Sequence, residues 1–294
     1  MISVLTGSFR KPVTHMRQVP DECEALRPSG RVLCTDRAIS QDLQRANFRN
    51  YQFLRLVAQK KRFENCDFSY SEFDAAYLRR CVFEDCKFIG CRFSSSNLSG
   101  SQFLGCDFEY ATFSNTLIDP EVLEFGLPGR ENLQLRFARA LRINYAQIGD
   151  TQAANKAIQC ELSANRVHLF KAWASRESYY RKHYRGFKRF RHFLEWLSFI
   201  ILDFSWGNGE SWLKLFRTIA IVVAAIGLGQ VYYLGDWKVL SDYREALLAA
   251  PGIFLGVDNA PQGYSSMVLA GIAATRYILF AFLVSILVKR LGRR

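Results

Sequence analysis

The sequence has few of the side chains from which catalytic and metal centres are usually built. Only four histidines occur among 294 residues, at positions 15, 168, 183 and 192, and none stands in a recognised metal-binding motif. The sequence contains no P-loop pattern and no HExxH pattern. The glycine-rich stretch WGNGES lacks the preceding strand that a dinucleotide site requires. We therefore expect a protein that is not an enzyme and that holds no metal and no cofactor.

Acidic residues are scarce relative to basic ones. The chain has 39 Lys and Arg against 27 Asp and Glu, a formal net charge of +12. Such an excess favours an anionic partner, for which nucleic-acid phosphates and anionic lipid headgroups are the usual sources. The first residues, MISVLTGSFRKP, contain no apolar run long enough for a signal peptide. We therefore expect the eight cysteines to be reduced thiols in the cytosol.

Residues 46–118 repeat with a period of five. Counted in steps of five from Phe48 to Ile118, fourteen of fifteen positions are large and apolar, the exception being Ala58. From Cys66 onward, the residue two positions earlier in each unit is always small. Neither a helix, with its period of 3.6, nor a strand, with its period of two, produces this pattern. The repeat predicts a solenoid in which each unit forms one side of a coil and backbone hydrogen bonds join successive coils.

In this pattern the sequence resembles the pentapeptide-repeat family, whose fold is a right-handed β-helix of square cross-section. With four units to a coil, residues twenty apart would stack. The expected core columns are Phe68, Phe88 and Phe108, and Cys66, Cys86 and Cys106. Cysteine is a small apolar filler in such a slot. A metal or redox site at Cys86 and Cys91 is the less favoured alternative, because no histidine falls within the repeat.

The solenoid surface bears on one known role of that family. Some pentapeptide-repeat proteins mimic DNA and block topoisomerases, a role that requires an acidic surface. Here the predicted surface is mixed to basic, with cations at Lys60, Lys61, Arg62, Arg79, Arg80, Lys87 and Arg92. The DNA-mimic analogy is therefore weakened, and a protein partner for the solenoid is the expectation we keep.

A helical and increasingly basic region follows the repeat. Residues 1–45 are assigned to an N-terminal cap and residues 120–180 to a helical hairpin that turns at Gly149–Asp150, with peptide binding as a less favoured role. Residues 181–211 form a basic juxtamembrane segment, because cations precede the apolar stretch Phe193–Trp206, which is too short to span a bilayer. We expect the cations to contact anionic headgroups, with nucleic acid less favoured and a solvated face as the remaining alternative. The cations are Arg181, Lys182, Arg185, Lys188, Arg189 and Arg191.

Two apolar segments, at about 212–234 and 264–288, are long enough to span a bilayer. Together they define a membrane domain over residues 212–290. Lys and Arg crowd the approach to the first segment and the tail after the second, whereas the loop between them holds only Lys238 and Arg244. The positive-inside rule therefore predicts two spans in the cytoplasmic (inner) membrane, with both termini in the cytoplasm.

The loop between the spans, residues 241–262, is predicted to be re-entrant. Asp242 and Glu245 suggest a helix start, the helix would end at Ala250, and Pro251–Gly252 would break it. The layout resembles the pore domain of two-helix potassium-type channels with a degenerate filter, since the filter threonine and second glycine have no counterpart. Potassium selectivity is therefore not implied, and an ordinary extracytoplasmic loop is the alternative. The pore- or filter-like residues are Gly256, Val257, Asp258, Pro261 and Arg276.

Arg276 lies near the middle of the second span, where a charge costs roughly 2.5–3.5 kcal/mol on insertion scales. A ring of Arg276 side chains around an oligomer axis would favour anions. Pairing with a backbone carbonyl or a membrane-edge acid is the alternative. Small residues four apart, at Ala225 and Gly229 and at Ala270 and Ala274, favour self-association.

These features predict an oligomeric, channel-like membrane protein whose cytosolic solenoid is a sensor or assembly platform. A membrane-anchored interaction scaffold without a pore is the alternative. The fold class expected is a right-handed quadrilateral β-helix, then an α-helical linker, then a two-helix transmembrane domain.

Overall fold

The structure is a computed structural model that describes residues 30–236, 238–257 and 264–292. The chain divides into two compact units, residues 1–165 and 166–294. The first unit is built on a β-solenoid, and the second is helical.

Short parallel strands wind through residues 32–114 as a solenoid of about four turns. They form three sheets in the orders β1-β4-β7-β10-β12, β11-β9-β6-β3 and β2-β5-β8. Isolated bridges along the column Asn47, Asp67, Lys87 and Asp107 form the fourth side. The strands are β1 (Val32–Thr35), β2 (Ala38–Ile39), β3 (Leu43–Gln44), β4 (Tyr51–Leu54), β5 (Val57–Gln59), β6 (Arg62–Glu64), β7 (Glu72–Asp74), β8 (Tyr77–Arg79), β9 (Val82–Glu84), β10 (Arg92–Ser94), β11 (Gln102–Leu104) and β12 (Thr112–Ser114).

The predicted columns of residues twenty apart are present. Phe88 stacks between Phe68, with ring centroids 5.2 Å apart, and Phe108, at 4.9 Å. The planes of these pairs differ by 3° and 9°, so the rings repeat from one coil to the next. The predicted β-helix is therefore confirmed, and its interior is an aromatic core.

The corners of the coil explain the five-residue period. Two residues after each inward side chain the backbone enters the left-handed region, for example at Asn65 (φ 52°) and Asp85 (φ 50°). At Gly90 (φ 65°) a Cβ would also lie 2.9 Å from Cδ1 of Tyr70, one coil earlier. Other corners make the same turn without glycine, so at Gly90 the missing side chain matters mainly for the Tyr70 ring stacked on it.

The solenoid begins one coil earlier than the repeat predicts, at Val32 rather than at residue 46. Cys34 pairs with Phe53, Ile39 with Ala58 and Leu43 with Phe63. The step from Ile39 to Leu43 is four residues, so counting back in fives from Phe48 loses the register. Residues 30–45, assigned from sequence to a cap, therefore include the first coil, and residues 1–29 lie outside the described part of the chain. Cys34 is disulfide-bonded, so the expectation of reduced thiols is wrong for this residue.

Three helices follow: α1 (Val122–Phe125), α2 (Glu131–Gln147) and α3 (Thr151–Ala174). Helix α2 covers the last coil, where Phe137 packs 5.4 Å from Phe108. The buried Asn144 side chain accepts a hydrogen bond from Thr116 N (2.8 Å) and donates one to Thr116 O (2.7 Å). Asn144 thereby supplies the two backbone hydrogen bonds that a further coil would make.

We expect Asn144→Ala to lower the free energy of unfolding by about 1–3 kcal/mol, because it leaves two buried backbone groups of Thr116 unpaired. The matched control is Gln147→Ala. Gln147 accepts from the exposed Asn115 N at 3.2 Å, so its loss should cost within about 0.5 kcal/mol. Urea unfolding of both variants followed by circular dichroism measures the difference. Equal effects would show that the Asn144 hydrogen bonds do not cap the solenoid.

The second unit consists of helices α4 (Ser178–His183), α5 (Phe187–Trp206), α6 (Trp212–Leu234), α7 (Leu240–Leu255) and α8 (Ser266–Gly292). A 3₁₀ turn over Gly207–Gly209 joins α5 to α6. By length and composition, α6 and α8 could each cross a membrane. The chain thus combines a β-solenoid with two candidate membrane helices.

Helix α7 differs from the predicted loop helix at both ends. It begins at Leu240, so Asp242 lies in its first turn and accepts from Asp236 N (2.9 Å) rather than capping the helix. It also continues through Pro251 to Leu255. Proline removes one helical hydrogen bond, but burial of Ile253 and Phe254 beyond it offsets that loss.

Candidate membrane site around Gly256 and Arg276

Helix α7 packs closely along α6. A Cβ placed on Gly227 of α6 would lie 2.9 Å from Cδ2 and 3.2 Å from Cα of Leu247. Ala246 and Ala250, which lie on α7 beside Leu247, are buried. Small residues on both helices permit this approach, which is the usual way that helices pack within membranes.

An apolar cluster joins α7 to both candidate spans. Phe254 is 4% exposed and Ala250 is fully buried, although neither belongs to a span. The buried members of the cluster are Leu215, Ile226, Ala250, Ile253, Phe254, Leu279 and Ile286. Helix α7 therefore belongs to the packed core of the α6–α8 pair.

The carboxyl end of α7 meets the side chain of Arg276. Gly256 ends the helix in the left-handed region (φ 73°), and a Cβ there would collide with Nη1 of Arg276. The Arg276 guanidinium also lies 5.0 Å from the ring centroid of Tyr277. The end of a helix carries partial negative charge and unpaired carbonyls, so a guanidinium at this end is stabilised.

The structure thus brings together two of the five pore-like residues, Gly256 and Arg276. Val257 follows Gly256 in the chain and is 80% exposed. Asp258 and Pro261 lie outside the described residues. The guanidinium of Arg276 lies beside the backbone of Gly256 at the end of α7.

Position along α8 gives the depth of this contact. Arg276 is ten residues after Ser266, which corresponds to about 15 Å of helix. The hydrocarbon core of a bilayer is about 30 Å thick. If α8 spans a bilayer, α7 ends close to the level of the midplane.

Ion pairs and ring stacking hold the opposite end of the unit together. Lys214 contacts Asp203 at 2.8 Å, and Lys289 contacts Glu210 at 3.5 Å. The rings of Trp206 and Phe282 stack with centroids 4.2 Å apart. Sequence reasoning missed these pairs because the partners are far apart in the chain. The sequence did offer one signal for these pairs, because Asp203 and Glu210 are two acids next to the first span within a basic segment.

An open groove of about 430 Å³ separates other parts of α6 and α8. Ala225 and Gly229 of α6 line one side, and Gly271 and Thr275 of α8 line the other. No atom lies within 4 Å of a Cβ placed on Gly229 or Gly271. Among the residues that the structure describes, no side chain of the same chain therefore fills the space beside Gly229.

The predicted juxtamembrane cations lie on α4, on α5 and between these helices. Arg191 pairs with Glu195 at 2.8 Å, and Glu195 also contacts His192 at 2.8 Å. Arg189 donates through Nε to the Trp173 carbonyl. Arg185 donates to the Arg181 carbonyl at 3.0 Å.

Residues 58–125 match a family model described as a pentapeptide repeat region. The match covers less than a quarter of the chain, and it lies within and just beyond the solenoid. Two solved structures of trypsin-treated variants of QnrB1, a plasmid-mediated fluoroquinolone resistance protein, are similar to part of the chain. They share 14% and 13% sequence identity with it, with TM-scores of 0.16 and 0.15. Each comparison covers 29% of this chain, and 78% and 70% of the QnrB1 chains. No curated protein matches the chain.

The thiols of the pentapeptide-repeat domain are part of its core. Cys86 donates to the Phe63 carbonyl at 3.4 Å, and Cys91 donates to the Phe68 carbonyl at 2.9 Å. A hydrogen bond with Cys106 raises the pKa of Cys86 to about 12, and burial raises the pKa of Cys91 to about 12. Thiols held protonated in this way are poor nucleophiles and poor metal ligands. Among the described residues, no group of three or more His, Cys, Asp or Glu side chains is arranged to hold a metal ion.

These pKa values predict how the domain responds to alkaline pH. The folded state holds the Cys91 proton more tightly than the unfolded state, whose pKa is near 9.0. The stability that this proton contributes is present below pH 9 and is lost as pH rises from about 9 to about 12. We expect Cys91→Ala to lose less free energy of unfolding than the wild type between pH 8 and pH 10.5, as measured by urea unfolding. Identical losses would show that Cys91 titrates normally in the folded protein.

Proposed function

We propose that the protein is an oligomeric, channel-like membrane protein in which several copies arrange their α7 helices and Arg276 side chains around a shared pathway. The observation that carries this proposal is the end of α7, which stops beside Arg276 about 15 Å along the candidate span α8.

A helix that ends at this depth has a specific energetic problem. The carbonyls of Gly252 and Ile253 accept hydrogen bonds from Val257 N and Gly256 N, which leaves the last two carbonyls of the helix to be satisfied from outside it, and hydrocarbon offers no donor. Irregular backbone at membrane depth is tolerated only where protein covers it or where it lines water. Gly256 and Val257 are exposed in the single chain. Arg276 lies beside this end, and further copies of the chain or an aqueous pathway would satisfy the remaining exposed backbone; an oligomeric channel supplies both.

The unfilled groove supports self-association. Ala225, Gly229 and Gly271 line this groove, and within the described part of the chain no side chain lies against Gly229 or Gly271. Faces of this kind let helices from neighbouring copies approach closely.

The positive charge of Arg276 is the reason to propose anions as the permeant species. In an oligomer each copy contributes one guanidinium at the same depth, and a ring of such charges repels cations and attracts anions. The carbonyl end of α7 offsets part of each charge, which weakens anion binding enough for release.

The pentapeptide-repeat domain is proposed to be the cytosolic sensor or assembly platform for this membrane unit. Lys214, Arg217, Lys289 and Arg290 cluster at the ends of α6 and α8 that lead to the termini, which under the positive-inside rule supports a cytoplasmic location. Binding of a protein partner to the solenoid surface would be the signal that this domain detects. An anchored scaffold without a pore is the alternative.

Anion flux from liposomes tests the proposal. Purified full-length protein should release chloride from loaded vesicles faster than it releases potassium. Arg276→Ala should reduce this preference by about tenfold or more, because about 1.4 kcal/mol of interaction with the ion corresponds to tenfold.

Arg290→Ala is the matched control, since it removes a charge near the end of the same helix. We expect it to retain the anion preference. Absence of flux in any salt, together with a monomer in detergent, would refute the channel and favour the anchored scaffold.

A further inference from the structure

Helix α5 exposes a continuous apolar stripe along its length. The members are spaced alternately three and four residues apart, so they share one helix face. Their exposed fractions range from 38% at Leu197 to 81% at Phe187. The stripe consists of Phe187, Phe190, Leu194, Leu197, Ile201 and Phe204.

The face of α5 next to the stripe is the one that packs within the unit. Trp173 lies 5.1 Å from Phe193 and 5.3 Å from Trp196 between ring centroids. Phe170 also lies 5.9 Å from Trp196. The packing of α5 within the unit therefore uses the adjoining face of the helix, and the exposed stripe must be explained by something outside the described residues of this chain.

Charge around the stripe is almost entirely positive. Glu195 is the one acidic residue between positions 178 and 202 of the sequence, and Arg191 and His192 both contact it. Lys182 and Lys188 have no carboxylate partner within the described part of the chain. An apolar face flanked by unpaired cations fits an anionic, amphipathic surface.

The end of the stripe is attached to the first candidate span. Asp203 pairs with Lys214 at 2.8 Å, and Thr218 donates to the Ser205 carbonyl at 2.8 Å. Arg217 lies 4.2 Å from the ring centroid of Phe204. Leu213 and Phe216 on the first turns of α6 are themselves exposed. The apolar surface therefore continues from α5 onto α6, at the level where a spanning α6 would enter the bilayer.

We infer that α5 lies in the interface of a bilayer that contains anionic lipids, with its stripe inserted into the boundary between headgroups and acyl chains. Helices of this kind insert their apolar face by about 5–10 Å. The cations of α4 and α5 then reach the headgroup phosphates.

A second copy of α5 is the competing occupant, because the three–four spacing also suits a coiled coil. The stripe covers less than three heptads, which is short for a stable coiled coil. Pairing two copies in parallel would also bring Lys188 and Arg191 of one chain near the same cations of the other. The bilayer surface carries the opposite charge and is therefore favoured.

Spin-label depth measurements on the full-length protein test this inference. In a Cys160→Ser background, single labels are placed at Leu194→Cys and Ile201→Cys on the stripe. Labels at Lys182→Cys and Lys188→Cys are the matched controls. The protein is reconstituted in vesicles with and without anionic lipid, and collision with oxygen is compared with collision with a water-soluble nickel complex.

Labels on the stripe should favour oxygen over nickel, the controls should favour nickel, and the contrast should increase with anionic lipid. Spin–spin broadening at Leu194 would assign the stripe to a second copy and overturn the inference. Equal nickel access at all four positions would also overturn it. Either result leaves the flux experiment unaffected, because that experiment depends on α7 and Arg276.

Discussion

Replacing Phe88 with alanine should lower the free energy of unfolding of the solenoid by about 3–5 kcal/mol. Phe88 is fully buried at the centre of the solenoid, and it stacks on the rings of the coils before and after it. It also makes edge contacts with Phe83 at 5.4 Å and Phe103 at 6.0 Å. The aromatic neighbours are themselves packed on both sides and cannot move to fill the space, so the cavity should remain open.

Two control variants separate the effect of this cavity from that of a general loss of side-chain atoms. Phe125→Ala removes the same atoms from a position that is 59% exposed, and should cost within about 0.5 kcal/mol. Cys86→Ala removes only a sulfur from the neighbouring slot and should cost about 1 kcal/mol. Chemical unfolding followed by circular dichroism measures all three. A cost for Phe88→Ala no larger than that for Phe125→Ala would contradict the stacked-column account of stability.

Replacing Gly227 with alanine should displace α7 and abolish the proposed flux. The new Cβ would lie 3.2 Å from Cα of Leu247 and 3.3 Å from O of Ala246, so the backbone of α7 must move away by a few tenths of an ångström. Because α7 places Gly256 beside Arg276, a shift of the helix separates the two. Flux from liposomes is the primary measurement.

Gly292→Ala is the control, at the end of α8. Both substitutions replace glycine with alanine in a helix, and at Gly292 nothing lies within 4 Å of the new Cβ. Flux retained by Gly292→Ala and lost by Gly227→Ala supports the site. Equal flux in both variants would show that the packing of α7 on α6 does not matter for conduction.

The solenoid was predictable because its determinants are local and repeated. Each five-residue unit carries its own inward pair and its own corner, so the period appears directly in the sequence. The prediction was wrong where that regularity stops. The four-residue step between Ile39 and Leu43 hid the first coil. No feature of the sequence near Asn144 indicates that its side-chain amide takes the place of a further strand.

The candidate membrane site was only partly predictable. Its composition predicted two apolar segments, a helix between them and a charge at Arg276. Pro251 predicted a helix end that the structure does not have, because local propensity gave way to the burial of Phe254.

By itself, the sequence determined the five-residue coil, the reduced and apolar role of the repeat cysteines from Cys66 to Cys106, and the two segments long enough to span a bilayer. Periodicity and length are properties of the chain alone, so they can be read without knowing which residues meet. Tertiary structure decided that α7 folds back along α6, that Gly256 meets Arg276, and that Asp203 and Glu210 pair with lysines of the spans. Those contacts join residues distant in the chain, and they depend on the space left by Gly227 and on burial shared among three helices.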